Sequence, residues 1–414
     1  DDFKRWRLSL VLGRTYNNLG YTHWMYKGQY RLALREFQQA IRLFRAAGLS
    51  EELANTNDNM GRVHALLGEE FQATKLIRKG QETRQELGLT YRAALSANSL
   101  AMVLIRFGRT VQALKAVEDA VIHFRRTEVK RGIGLGLLTR GMIHRSMAEM
   151  YEELSIPVDE AIRHTDKAET DLKEAVRYFS TLVHEPIREV QARNEIACCY
   201  RARYLLLKTL GAKETEREMA LVQGRMFFRR AIELAKKYDY IIDMLDSMQD
   251  LAVLLLRAEQ YAQVKHYLAE IRNRIPERYT VRPNIGLVEI DETERIDAYY
   301  KLLGQVEMLE AAMVYEKGRR QAREMGKSGD QPTREAWLET AHHYLLAVSY
   351  FSRFGTESFV RGLTFGRIYR RFENCDLELV HEITQEYMPQ RVKEYVLPDE
   401  LVRSLFQDVF GLFD

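Results

Sequence analysis

Small and bulky apolar residues recur along this chain with a fixed spacing of 40. Ala33, Ala73 and Ala113 share one register, Ala40, Gly80 and Ala120 another seven residues on, and Phe37, Ile77 and Val117 fill a bulky position between them. Ile41, Gln81 and Val121 follow, two of the three apolar. Ahead of each block stand Leu19-Gly20, Met60-Gly61 and Leu100-Ala101, and a glycine, Gly28, Gly68 or Gly108, marks the intervening turn. Two small residues seven apart put a flat face on a helix, and a small residue on the preceding helix lets the two approach closely. A period in this range predicts antiparallel helix pairs stacked into a solenoid.

The register fades after the third block and returns. Gly224 and Val264 are 40 apart, as are Ala231 and Ile271, with Leu251-Ala252 as the first-helix signature. Six blocks can be traced before residue 275, four of them well. These spacings divide the chain into regular helix pairs over 1–127, longer and divergent pairs over 128–274, an irregular linker over 275–291, and divergent helical repeats with a cap over 292–414. Glu128-Val129-Lys130-Arg131-Gly132 forms the first polar joint, and Pro157 and Pro186 stand where new helices can start. Pro276 to Ile290 has no helical periodicity. Beyond it, one long helix or a pair without a marked turn is expected over 292–325, and helices over 333–354 and 358–372, with a flexible connection at Gly326 to Pro332. Leu401, Val402, Leu405, Phe406, Val409 and Phe410 form a closing stripe expected to cover the solenoid's own end.

The segments Tyr16-Asn17-Asn18-Leu19-Gly20, Gly28-Gln29-Tyr30 and Ala33 to Ala40 resemble the tetratricopeptide repeat family. The resemblance covers roughly residues 8 to 274, with longer helices than the usual unit of about 34 residues. That long variant is similar to the repeats of kinesin light chains, of bacterial peptide-pheromone receptors and of the sensor arms of signalling ATPases related to the maltose-regulon activator. It implies an all-α, right-handed superhelical solenoid whose first helices line a concave groove, and it is nearly silent about the ligand.

In that family an asparagine two residues before the first-helix glycine often holds the backbone of an extended peptide. Asn18 and Asn59 stand at this position, and an amide can both donate to a carbonyl and accept from an N–H. Tyr21, Arg62 and Met102 follow the small residue by one and are expected to face the same groove, with Asn55, Asn98 and Arg106 as neighbours. The family's clamp for a C-terminal carboxylate needs basic residues on the third first-helix, where this chain has Leu95 and Ser99. That departure leaves an internal peptide, a folded partner or a small effector as ligand.

Composition narrows the function classes. Apolar residues at 46% beside 29% charged describe a globular protein, and a net charge of +3 gives no general pull toward nucleic acid or membrane. No apolar run approaches the ~20 residues needed to span a bilayer. Arg outnumbers Lys, 45 to 17, which favours dense ion pairing. Cys198, Cys199 and Cys375 cannot alone make a disulfide framework or a four-ligand zinc site. The chain is read as cytoplasmic and as part of a longer polypeptide carrying additional domains.

The search for catalytic chemistry is thin. Gly326-Lys327-Ser328 resembles the tail of a phosphate loop, but Gln321 stands where its first glycine should be. His381-Glu382 lacks a second histidine at metal-binding spacing, His184-Glu185 runs into Pro186, and His342-His343 reads as a packed or solvated pair. Arg319, Arg320 and Arg323 could contact phosphate but read more simply as a solvated helix face. The expectation is no enzyme, no cofactor and no metal, and a protein- or peptide-binding module serving as the sensor arm of a signalling protein. A constitutive scaffold, or an unrecognised enzyme or nucleic-acid site after residue 290, are the alternatives.

Overall fold

A computed structural model describes residues 2–325, 331–355, 372 and 375–398. The Gly326-Lys327-Ser328 turn, the helix expected over 358–372 apart from Phe372, and the closing stripe from Leu401 lie outside the described residues. The chain divides into two compact units, Asp1–Ala258 and Glu259–Asp414.

The first unit is built from helices alone. They are α1 (Asp2–Met25), α2 (Tyr30–Ala46), α3 (Ser50–Leu66), α4 (Glu70–Glu86), α5 (Thr90–Arg106), α6 (Thr110–Arg126), α7 (Lys130–Glu149), α8 (Val158–Arg177), α9 (Pro186–Thr209), α10 (Glu214–Lys237) and α11 (Ile241–Arg257). Helices α2 to α6 each run 17 residues and are joined by three-residue turns, so the 40-residue block is itself two near-equal halves. Each turn carries one left-handed residue. Gly48 (φ 66°) and Gly88 (φ 68°) alternate with Gly28, Gly68 and Gly108, and Glu128 (φ 53°) extends the series. At Gly48 the next amide, Leu49 N–H, reaches back to the Phe44 carbonyl at 2.9 Å, closing the helix end; Leu89 does the same to Arg84 at 2.8 Å. A residue with a Cβ is disfavoured in that conformation, which explains glycine there.

The repeated small residues sit where helices meet. Ala33, Ala73 and Ala113 are fully buried, as are Phe37, Ile77 and Val117. A Cβ on Gly61 would lie 2.9 Å from the Ala73 carbonyl oxygen and 2.7 Å from Ile77 Cγ1, and Gly20 meets Ala33 and Phe37 in the same way. Gly80 has a further reason: its missing Cβ would fall 2.6 Å from Asp58 Oδ1. Asp58 is buried between α3, α4 and α5, ion-paired with Arg84 and accepting from Ser96 Oγ at 2.7 Å. The late blocks follow suit, with Ala231, Val264 and Ile271 fully buried.

Each helix of this unit packs on the next in the chain, giving an all-α solenoid of antiparallel pairs. The first helices also touch one another in sequence, α1 with α3, α3 with α5, α5 with α7, α7 with α9 and α9 with α11, whereas the second helices pack less closely on one another, Arg125 on α6 reaching Glu174 on α8 at 3.2 Å. An array closer on one side curves toward it, so the first helices form the concave wall. Helices α7 and α8 lengthen to 20 residues, and α8 runs on into a π-helical turn at Tyr178–Leu182. Pro186 occupies the first turn of α9, where its missing N–H costs nothing. Arg145 bridges Glu149 and Glu195 (2.7 Å to the latter), and Arg201 bridges Glu149 (3.1 Å) and Asp250 (2.6 Å), tying α7, α9 and α11 together.

The second unit holds α12 (Tyr261–Arg274), α13 (Asp297–Glu324), α14 (Arg334–Phe354) and two short helices, Leu377–Glu382 and Met388–Glu394. The stretch expected to be one helix or a pair over 292–325 is a single helix of 28 residues. Thr333 caps α14 by accepting from the Ala336 amide. Its core joins Trp337, Tyr344, Phe351, Phe372, Ile383, Met388 and Val392. The non-helical segment after Pro276 is anchored: buried Tyr279 donates to the Glu294 carbonyl at 3.0 Å, Tyr350 Oη accepts from Val281 N–H at 2.8 Å, and Asn284 N–H reaches the Glu394 carbonyl at 2.6 Å. Among the described residues the only extended pairing is the isolated bridge between Arg282 and Gly286, and no helix is long and apolar enough to cross a membrane.

Candidate functional site

The array of the first unit curls back on itself, so its concave wall forms a trough. Tyr26, just after α1, lies 5.9 Å (ring centroids) from Tyr240, which immediately precedes α11. Side chains from distant helices therefore face one another. Arg62 on α3 is within electrostatic reach of Arg188 on α9 and Arg131 on α7, and Arg106 on α5 of Asp246 on α11.

Of the residues singled out by register, Tyr21 and Arg62 are brought together around Trp24. The Arg62 guanidinium stacks on the Trp24 ring at 4.6 Å, and Tyr21 meets the same ring edge-on at 5.6 Å. Asn18 is exposed at the equivalent of Asn59, and Met102 is half-buried at the α5 position that follows Tyr21 and Arg62 in register. Asn59 donates to Asn17 Oδ1 at 3.2 Å, linking α3 to α1. Arg106 is exposed and donates to the Leu66 carbonyl at 3.2 Å. Asn55 lies beside the Asp58–Arg84 pair, accepting from Arg84 at 3.5 Å, and Asn98 is buried with its Oδ1 unpartnered.

The electrostatics of the trough centre are uneven. Glu185 binds Arg131 through both oxygens at 2.9 and 3.0 Å, and Arg188 stands 3.5 Å from the same carboxylate while donating to Gln191 at 2.8 Å. Gln191 in turn donates to Asp243 at 3.1 Å, and burial pushes the Asp243 carboxyl up to about 6. Arg62 makes no hydrogen bond or ion pair among the described residues. Loss of solvent, then repulsion from Arg188, pushes its guanidinium down to about 9, so it still carries its charge at neutral pH. Burial likewise raises the Tyr26 phenol.

Trp24, Arg131 and Arg188 carry no repeat signal. Trp24 sits three residues beyond the register position on α1, and the two arginines come from later blocks whose charges come within reach of Arg62 only because the array closes. Arg131 is the second residue of α7, as Tyr91 is of α5, and that positional equivalence is the one sequence cue to it.

The other candidate groups are occupied. His343 Nδ1 is 2.7 Å from Glu307, which also binds Arg272 at 2.9 Å. His342 packs on Tyr395 and burial pushes it down to about 4. Arg319 pairs with Glu316 at 3.2 Å, Arg320 with Glu324 at 3.0 Å, and Glu382 is paired with Arg334. Among the described residues no three His, Cys, Asp or Glu side chains gather as a metal site.

No protein-family model matches the chain, and no curated protein matches it. Among solved structures it is similar to the crystal structure of BtubC (BKLC) from P. vanneervenii, at 16% identity and a TM-score of 0.38, over 64% of this chain and 97% of that one. It is also similar to a circular tandem repeat protein with novel repeat topology and enhanced subunit contact surfaces, at 12% identity and a TM-score of 0.30, over 99% and 98%. Neither likeness is close enough to carry an argument, and the class rests on the helix packing: a helical repeat protein.

Proposed function

We propose that the first unit is a binding module that takes an extended peptide or a protein segment along its concave wall, in the manner the tetratricopeptide resemblance implies. The observation that supports this reading is the row of first helices touching in sequence, with Tyr21 on α1 and Arg62 on α3 meeting at Trp24. A ligand there would touch helices from both ends of the array, so it would couple the α1–α2 turn to the α10–α11 turn. That coupling suits the sensor arm of a larger signalling protein better than a passive scaffold. The module works by binding, not by chemistry: burial raises the Cys198 and Cys199 thiols, which weakens them as nucleophiles.

The test is affinity for a peptide selected against the protein from a display library. Asn18 is exposed and its truncation leaves the helix contacts in place, so Asn18→Ala should weaken binding by about 1 kcal/mol, the worth of one net hydrogen bond, with the melting temperature unchanged. Adding Asn59→Ala should bring the loss to about 1–3 kcal/mol. An unaltered affinity in the double variant would place the ligand elsewhere.

A further inference from the structure

Arg62 is an arginine that the fold positions but does not neutralise. Its guanidinium carbon lies over the Trp24 ring at 4.6 Å, a cation–π contact that holds it in place and leaves its N–H donors unused. The carboxylates within reach are committed to other groups. Asp58 pairs with Arg84 and accepts from Ser96 through Oδ2, its Oδ1 lying buried against Gly80, Glu185 holds Arg131 through both oxygens, and Asp243 accepts from Gln191. Arg188 and Arg131 add positive charge from the facing helices, and Tyr21 adds a phenol beside them. Three guanidinium groups thus lie within electrostatic reach of one another, against Glu185, which pairs with two of them, and Asp243, within reach of Arg188. With Arg188 buried and Arg62 partly so, the surplus cation is costly unless an anion enters to offset it.

Resting on the groove reading above, we infer that the ligand is an acidic peptide, and that one of its anionic side chains is received by Arg62 between α3 on one wall and α7 and α9 on the other. Carboxylate and phosphate both match the arginine fork, which can give two parallel N–H bonds to either. Lysine cannot reproduce that geometry. The bound anion also replaces repulsion between Arg62 and Arg188 by attraction to a shared partner, drawing the two walls of the trough together.

The experiment selects twelve-residue peptides from a random display library on the full chain, resynthesises the strongest, and measures their affinity for wild type, Arg62→Gln and Arg62→Lys. The expected result is enrichment of Asp- and Glu-rich peptides. Their affinity should fall at least tenfold in Arg62→Gln and less in Arg62→Lys, and it should weaken with added salt. Replacing the critical acidic residue by phosphoserine tells the two anion sources apart: tighter binding assigns the site to a phosphorylated segment, weaker binding to a carboxylate, and both keep an anion at Arg62. The melting temperature of Arg62→Gln should stay the same or rise, because an unpaired charge is removed. Peptides without acidic residues that lose affinity on Asn18→Ala or Met102→Ala but not on Arg62→Gln would overturn the anion assignment and leave the groove reading standing. Peptides insensitive to every one of these substitutions would overturn both.

Discussion

Gly61→Ala tests the close approach of paired helices with a single methyl group. The added Cβ would lie 2.7 Å from Ile77 Cγ1 and 2.9 Å from the Ala73 carbonyl oxygen. Ile77 is fully buried and cannot swing aside, and the carbonyl belongs to the α4 backbone, so α3 and α4 must separate by several tenths of an ångström. Overpacking of this kind costs about 1–3 kcal/mol. Against it, alanine in a helix interior is favoured over glycine by about 0.5–1 kcal/mol. Set against each other, the two ranges leave a net loss of up to about 2.5 kcal/mol, about 1 kcal/mol at their midpoints. The equivalent position on α5 is already Ala101, fully buried, so the effect belongs to this helix pair and not to the position in general. Urea unfolding followed by circular dichroism reads the midpoint. A variant as stable as wild type, or more stable, would mean that the 40-residue series of small residues does not reflect helix approach.

Other outcomes follow from the same structure. Ala73→Leu should lower stability by about 1–3 kcal/mol through overpacking, read in the same urea titration. Asp58→Ala should cost about 3–5 kcal/mol, because it strands the buried Arg84 guanidinium, and Asp58→Ala with Arg84→Met should recover much of that in a double-mutant cycle. Gly48→Ala has open space around its Cβ but a φ of +66°, so its expected loss of about 1–2 kcal/mol comes from backbone strain alone. His144 and His164 face each other Nδ1 to Nδ1 at 3.0 Å, and burial lowers both, His144 to about 4. The unfolded chain then binds more protons than the native one below pH 6.5, so stability present above that value is lost as the pH falls toward 4, by up to about 3 kcal/mol for His144. Unfolding midpoints of wild type and His144→Asn between pH 4 and 7 should diverge in that window; parallel curves would refute the assignment.

The parts of the fold legible in the sequence are those where backbone geometry restricts residue identity. Ala33, Ala73 and Gly61 stand where two helices nearly touch, so little else fits and the pattern survives divergence around it. Gly48 and Gly88 obey an equally strict requirement, yet they fall between the blocks, and only the structure shows that the 40-residue unit is two halves with matching turns. Gly80 was legible as small but not for its reason, since Asp58 reaches it from another helix. Register alone expects Tyr21, Arg62 and Met102 in one row, because equivalent positions on stacked first helices must align, and Tyr21 and Arg62 meet at Trp24. Register says nothing of Trp24, which lies off that row, or of Arg131 and Arg188, which come within electrostatic reach of Arg62 across the curl of the array. Asn98 shows the same limit from the other side: it sits near the row in sequence and is buried in the structure.

The central claim, that the concave wall of the first unit receives the ligand, is tested most directly by a crystal structure of the full chain with its tightest selected peptide. The account expects an extended peptide along α1, α3 and α5, with an acidic side chain within about 3 Å of the Arg62 guanidinium, the distance of a charge-assisted hydrogen bond. A peptide seated on the convex side formed by α2, α4 and α6, or on residues after Glu259, would contradict it.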